Sequence, residues 1–469
     1  MVKVTRSFPA PKSLAIEALK ADGSYNKPDV VRQLREDFND KCYICELKDL
    51  SDPEELINFG FEQGNVIAEA FDNSDLKSIR TAELVYEIFN KTNTGIREAV
   101  MQMGKSSLPD FDLFLPDWIA LLGKCTDWRT KRLLEEAMSM IQDDFQALIV
   151  ARDHVENHPE LYKQILESGK SQNDPTRLYK IGLEALEKIP VKLKIRSEIA
   201  LLTADYSCMM NNSCGAEMCW MEAFESDSSV VNYLRLRFLS KNWDDYRWRA
   251  GKIIEAEYHK TMSEKDCLGG YYGDDVLGEN ALYKNDYCTL LFWEKRFDEV
   301  MQLGLSEKKM LGWSDTFIKQ GLALFLLLLY EGDIYKADLY SMFRLAIYEC
   351  GFDSKDFYKG TDIEIQMDKY SLFVELFDKW RTEFSVPEED KNIWIRNIQI
   401  LINQRVDAIM EANKRNYYNE CAAFIAACGE VMESRGQKGA KQSLMLSYKK
   451  EYARRRSFIQ ELRNFGFRE

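Results

Sequence analysis

Histidine is the scarcest chemistry in this chain. Three residues, His154, His158 and His259, are all that 469 positions supply. Histidine titrates near neutral pH and is the commonest nitrogen ligand of metals, so a His-based general base or metal site has almost nowhere to be built. His154 and His158 stand four apart, but no Glu follows in the spacing of a helical metalloprotease, and Asn157-His158-Pro159 reads as a turn with a cap. Long apolar runs are missing too. The longest, residues 321–330, is flanked by Asp315, Lys319 and Glu331 and is about half of what a bilayer crossing needs, so it reads as a buried helix. An excess of positive charge is also lacking. Lys and Arg number 63 against 77 Asp and Glu, a net of −14, which disfavours non-specific nucleic-acid or membrane binding by the molecule as a whole. The opening residues Met1 to Arg6 contain no apolar signal core, and eleven cysteines are scattered without disulfide-like order. A reduced cytoplasm is the expected setting.

What is present is periodic. Ile195, Ile199, Leu202 and Tyr206 recur at helical spacing and predict one apolar face. Asn211-Asn212-Ser213 breaks it. Ala216, Trp220, Ala223 and Phe224 restart the period, and Val231, Leu234 and Phe238 form a third face after Ser226-Asp227-Ser228-Ser229. Short helices joined by polar turns cannot bury their stripes alone and need neighbours of the same kind. Ala204, Ala216, Trp220 and Ala223 match the packing positions of a tetratricopeptide-like hairpin, with Thr203 and Ser228 departing from it. Leu115-Pro116-Asp117, Pro159 and Pro175 mark helix starts. The fold expected is mainly α, an irregular helical-repeat, tetratricopeptide-like array over residues 105–469 with a sub-boundary near 262–280. It follows a small N-terminal helical and hairpin module over residues 1–104, the hairpin lying around Phe59, Phe61, Val66 and Ile67.

Ser7-Phe8-Pro9-Ala10-Pro11, Tyr25-Asn26-Lys27-Pro28-Asp29-Val30 and Lys41-Cys42-Tyr43-Ile44-Cys45-Glu46, with Asp52-Pro53-Glu54-Glu55-Leu56 and Asn93-Thr94-Gly95-Ile96-Arg97, resemble HNH-type endonuclease subunits of Septu-like and retron-linked bacterial defence systems. In that family a metal-binding His, a second Cys-x-x-Cys and a ββα-metal fold stand between the two blocks. Here the chain passes from Cys45 to Asp52 without them. The resemblance therefore implies shared ancestry and a degenerate module rather than the activity, because water activation at a metal has no His to serve it. Cys42 and Cys45 remain as half a zinc site, two thiolates where tetrahedral zinc needs four ligands. From about Asp110 onward, Cys219-Trp220-Met221-Glu222-Ala223-Phe224, Leu311-Gly312-Trp313-Ser314 and Gly429-Glu430-Val431-Met432-Glu433-Ser434 resemble the helical part of bacterial SWIM zinc-finger proteins, without the Cys-x-Cys and Cys-x-His pairs of that finger.

Other candidate sites are weaker. Cys208, Cys214 and Cys219 have no regular ligand spacing, and Cys219 sits beside a buried helix face. The loop Leu268-Gly269-Gly270-Tyr271-Tyr272-Gly273-Asp274-Asp275 lacks the Lys-Ser/Thr ending of a phosphate cradle, and its aspartates repel phosphate. Trp243, Trp248, Tyr271, Tyr272, Tyr283 and Tyr287 crowd one part of the array and are a candidate peptide groove if exposed. Residues 435–469 carry ten basic and three acidic side chains, a net of +7 against −21 for the remainder. A helix docked on the acidic body is the preferred reading, and a nucleic-acid or partner contact through Lys449, Lys450, Arg454, Arg455 and Arg456 is its alternative. A non-catalytic interaction scaffold with a protein or peptide partner is the leading expectation. A DNA-binding or partner-dependent HNH-family endonuclease component is the other. No cofactor is expected beyond zinc at Cys42 and Cys45, and no membrane partner.

Overall fold

The computed structural model describes residues 111–169, 174–264, 278–307, 310, 317–334, 339–364 and 367–468. Nineteen α-helices account for most of them. No strand occurs among the described residues, and Leu193 and Glu279 form one isolated antiparallel bridge. The mainly α array is thus the architecture. The expected module over residues 1–104, its hairpin, its boundary with 105–469 and the Gly-rich loop at 268–275 lie outside the described residues, as does most of the 262–280 sub-boundary. No helix among the described residues is long and apolar enough to cross a membrane. The chain divides into two compact units between Ile165 and Leu166.

The described part of the first unit holds α1 (Phe111–Leu122), α2 (Trp128–Met138), α3 (Asp144–Asp153) and the start of α4 (Glu160–Gly169). Pro116 was expected in the first turn, but α1 begins at Phe111 and Pro116 falls inside it. Phe114 and Trp118, stacked at 5.8 Å and fully buried, carry an apolar face that extends the helix back across the proline, whose lost N–H costs one bond. Asp143 caps α3 by accepting from Phe145 N.

In the second unit α5 (Pro175–Lys188), α6 (Lys194–Met209) and α7 (Ser213–Ser226) pack in succession. Pro175 occupies the first turn of α5, and Asp174 accepts from Arg177 N. Ile195, Ile199 and Tyr206 are buried as predicted. In the third turn Thr203, not Leu202, faces inward, because Gly182 of α5 brings the backbones so close that only a small side chain fits. A Cβ at Gly182 would lie 2.8 Å from Thr203 Cγ2. Asn211 adopts φ +57, and Asn212 accepts from Gly215 N to start α7. Ser229 caps α8 (Val230–Leu239), which leads to α9 (Trp243–Glu264).

A short segment then returns to the first helices. Asn280 donates through Nδ2 to Glu225 O and Ser228 Oγ at 3.1 and 3.0 Å and accepts from Ser228 N. Its own N–H donates to Lys192 O, and Lys194 N donates to Gly278 O. The strap thereby pins the α5–α6 and α7–α8 turns together.

The remaining helices are α10 (Lys284–Trp293), α11 (Phe297–Leu305), α12 (Phe317–Leu329), α13 (Tyr340–Glu349), α14 (Ser354–Phe357), α15 (Lys369–Arg381), α16 (Glu388–Glu411), α17 (Tyr418–Ser434), α18 (Ala440–Glu451) and α19 (Arg456–Asn464). The apolar run at 321–330 is buried in α12, where Leu322 to Leu327 have no exposed surface. Around it Phe292, Trp293, Phe297, Phe325, Phe377, Trp380 and Trp394 form a continuous aromatic core, with edge-to-face contacts such as Trp293–Trp380 at 4.9 Å. Two indoles in it are anchored. Trp380 donates to Trp293 O at 3.1 Å and Trp394 to Asp298 Oδ1 at 3.0 Å.

Candidate functional site

The turn between α8 and α9 is held by a carboxylate from another helix. Glu217 of α7 is 2% exposed, and its two oxygens accept from Ser240 Oγ at 2.6 Å, Lys241 N at 3.1 Å, Asn242 N at 3.3 Å and Asn242 Nδ2 at 3.0 Å. A buried carboxylate with its lone pairs filled by backbone and amide donors is stable only in that geometry. Its consequence is to fix Lys241 at the mouth of a cleft of about 350 Å³.

The cleft lies between α8, the α8–α9 turn, α9, the end of α10 and the residues after α15. Tyr233, Trp243 and Trp293 contribute aromatic walls, and Arg237, Lys241, Arg247 and Lys295 face Asp244, Glu294 and Glu383. Several of these groups satisfy one another. Arg237 bonds Glu383, Lys295 Nζ reaches the same oxygen at 3.2 Å, and the Arg237 guanidinium lies 5.1 Å from the Trp243 ring centre. Tyr233 donates to Glu294. Burial, reinforced by that carboxylate, raises the phenol well above its ordinary value.

Two cations are only loosely engaged. Lys241 has no side-chain partner among the described residues, and Arg247 Nε stands in a long ion pair, 4.0 Å from Glu294 Oε2. A cleft with loosely engaged cations and aromatic walls suits an acceptor-rich, anionic guest.

A second cleft, of about 450 Å³, runs along α6, α8 and the α14 region. Its floor is a closed network. Arg235, 1% exposed, donates Nε to Phe357 O at 2.9 Å, Nη1 to Asn232 Oδ1 at 2.5 Å and Nη2 to Asp356 O. Asn232 Nδ2 in turn donates to Asp227 Oδ2 at 3.1 Å and Ser197 Oγ at 3.2 Å. Burial raises the Asp227 carboxyl and lowers Arg235 to about 10. Each of the three nitrogens of Arg235 donates to a protein acceptor, so the network ties α14 to α8.

Cys42 and Cys45 lie outside the described residues, so the half zinc site has no geometry to report. Cys219 is buried and pushed up to about 12 by burial, and Cys208 up to about 11 for the same reason. Cys214 is exposed, and no metal-sized group of His, Cys, Asp or Glu occurs among the described residues. His158 is fully buried with Nδ1 3.0 Å from Glu160 Oε1, just before α4. His154 lies over Gly123, where a Cβ would collide with its ring, and burial lowers its pKa. Of the expected groove aromatics, Trp243 and Tyr287 are buried. Trp248 is 70% exposed beneath Lys252 Nζ at 3.6 Å, Tyr283 is 37% exposed, and Tyr271 and Tyr272 are outside the described residues.

The basic C-terminal helices dock as predicted, through Met445, Tyr448, Phe458, Ile459 and Leu462. Part of their charge is spent on the body: Lys441 pairs with Glu430 at 2.5 Å, and Arg435 with Glu331 at 2.5 Å and with Glu388. Lys449 Nζ lies 5.5 Å from the Phe467 ring centre. Arg455 caps the end of α16, donating Nη2 to Met410 O at 2.8 Å and Nη1 to Asn413 Oδ1 at 2.7 Å. Lys450, Arg454 and Arg456 are exposed. Arg235 and Glu217 escaped the sequence reading. For Arg235 the signal is there, since the Val231 period places it on the buried face of α8.

Compared with known families, characterised proteins and solved structures, the chain matches none.

Proposed function

We propose that the chain is a non-catalytic, helical-repeat interaction scaffold whose α8–α9 cleft receives an acidic segment of a partner protein. The reading is carried by the loosely engaged cations Lys241 and Arg247, set against the aromatic walls of that cleft. A tetratricopeptide-like stack across α6 and α7 gives such a cleft a rigid frame, because each helix is held by its neighbours. An array of acidic, neutral and basic decapeptides, read by anisotropy and by indole fluorescence, tests it. Acidic peptides bind, basic ones do not, and Lys241→Glu with Arg247→Glu abolishes binding while Lys252→Glu leaves it intact. Equal binding by the double variant, or no bound peptide in the array, counts against the reading.

The second reading, a defence-linked HNH-family endonuclease component completed by another chain, rests on the Cys42 to Glu46 resemblance and on the basic C-terminal end. Cleavage of DNA with Mg²⁺, Mn²⁺ or Zn²⁺ that is lost in Cys42→Ser supports it. Metal analysis of the purified chain decides zinc at Cys42 and Cys45.

A further inference from the structure

The cations at the end of α16 and the start of α19 form one surface that the linear order hides. After α16 the chain turns through Asn413 at φ +52 and runs along Lys414 and Arg415 into a short 3-10 turn, Arg415–Tyr417. The two hydrogen bonds of Arg455 to Met410 O and Asn413 Oδ1 hold this turn against the α18–α19 connection. That link brings the Asn413–Arg415 stretch and the Arg454–Arg456 connection to the same end of the unit, with Lys450 in the last turn of α18.

Many other basic residues of the unit are paired. Arg196, Arg237, Arg249, Arg296, Arg405 and Arg435 each reach a carboxylate. Lys414, Arg415, Lys450, Arg454 and Arg456 are exposed and form no ion pair or side-chain hydrogen bond among the described residues, although Glu411 and Glu451 are close in the chain. Five exposed cations without ion-pair partners on an otherwise acidic protein leave a local positive potential that attracts anions. The first turn of α19 has no side-chain cap, which adds partial positive charge to the same surface.

We infer that this composite surface, Lys414, Arg415, Lys450, Arg454 and Arg456 held in place by Arg455, binds the phosphodiester backbone of a nucleic acid. Arginine also serves protein–protein hot spots, but there tryptophan and tyrosine anchor the contact beside it, and this surface offers no free aromatic anchor. The aromatic rings here are already engaged: Tyr452 donates to Asp407 and Tyr417 lies under Arg405. Backbone phosphate contacts, by contrast, need only cations at roughly constant spacing. The acidic body does not forbid this, because at physiological ionic strength charges more than about 8 Å away are largely screened. The inference is independent of the peptide cleft and stands or falls without it.

The test uses the full chain and labelled probes of equal length: duplex DNA, single-stranded DNA and single-stranded RNA, with anionic phosphatidylserine vesicles as a separate arm. Binding to at least one nucleic acid is expected, with log affinity falling against log salt at a slope of about −3 to −5, each phosphate contact contributing about 0.7–0.9. Arg415→Ala with Arg454→Ala and Arg456→Ala lowers affinity at least ~30-fold and flattens the slope by about 2–3. Its melting temperature stays unchanged, since none of the three side chains has a partner to lose. Arg455→Ala weakens binding by loosening the arrangement, and Lys252→Ala does nothing. The three probes separate duplex from single strand and DNA from RNA. Absence of binding to all of them, a triple variant that binds like the parent, or capture of vesicles but no nucleic acid overturns the inference.

Discussion

Replacing Glu217 by alanine tests how far one buried carboxylate governs a distant turn. The substitution removes the acceptor for four hydrogen bonds, from Ser240 Oγ, Lys241 N, Asn242 N and Asn242 Nδ2. Bonds to a charged acceptor contribute about 1.5–3 kcal/mol each, but Lys241 and Asn242 are exposed and water takes back most of what their donors lose. A net cost of about 2–4 kcal/mol follows, or a fall of roughly 4–8 °C in melting temperature for a unit of this size. Glu217→Gln retains one acceptor but turns an amide toward donors, and recovers less than half. The decisive assay is amide hydrogen exchange. The Lys241 N–H, bonded only to this side chain, loses protection by at least tenfold, about 1.4 kcal/mol, and the Asn242 N–H, which it shares with Ser240 Oγ at 3.0 Å, loses less, while amides in the middle of α12 do not change. A variant whose melting temperature moves by less than about 1 °C, with exchange at residues 241 and 242 unaltered, refutes the reasoning.

Arg235→Met leaves the Asp356 and Phe357 carbonyls without their buried donor and is expected to cost about 2–4 kcal/mol in denaturant unfolding. Arg235→Lys recovers only part, since one ammonium cannot span three acceptors. Gly182→Ala sets a helix-propensity gain of about 1 kcal/mol against overpacking of about 1–3 kcal/mol where the new methyl meets Thr203. A net loss is expected, relieved in the double variant with Thr203→Ala, as a double-mutant cycle measures. Cys219, Cys288, Cys421 and Cys428 are each pushed up to about 12 by burial, against an ordinary 9.0. The unfolded chain loses these protons first, so the stability they lend is complete below pH 9.0 and declines as pH rises from there towards 12. Between about pH 8 and pH 10 the loss is about 1 kcal/mol per thiol, and Cys428→Ala should remove about a quarter of that slope in pH-dependent melting.

The helices of residues 195–238 were legible because their apolar period survives intact, with polar breaks where Asn212 and Ser229 act as caps. The period said less about which residue faces in when a glycine on the neighbouring helix decides it, as Gly182 does for Thr203. Pro116 misled because a proline near a plausible start is also tolerated within a helix that packs well enough. The cleft was not legible at all. Lys241, Trp293 and Glu383 are separated by about 50 and 90 positions, and no local pattern links them. The basic run at Arg454 to Arg456 was visible as composition, whereas Lys414 and Arg415 joined it only through the cap that Arg455 places on α16.

The Asn280 strap has a consequence for how this protein can change. Gly278 and Asn280 grip the turns of helices laid down far earlier in the chain, and they grip two of them at once. Removing that grip releases both turns in one step, so the α5–α6 and α7–α8 ends loosen together rather than one at a time.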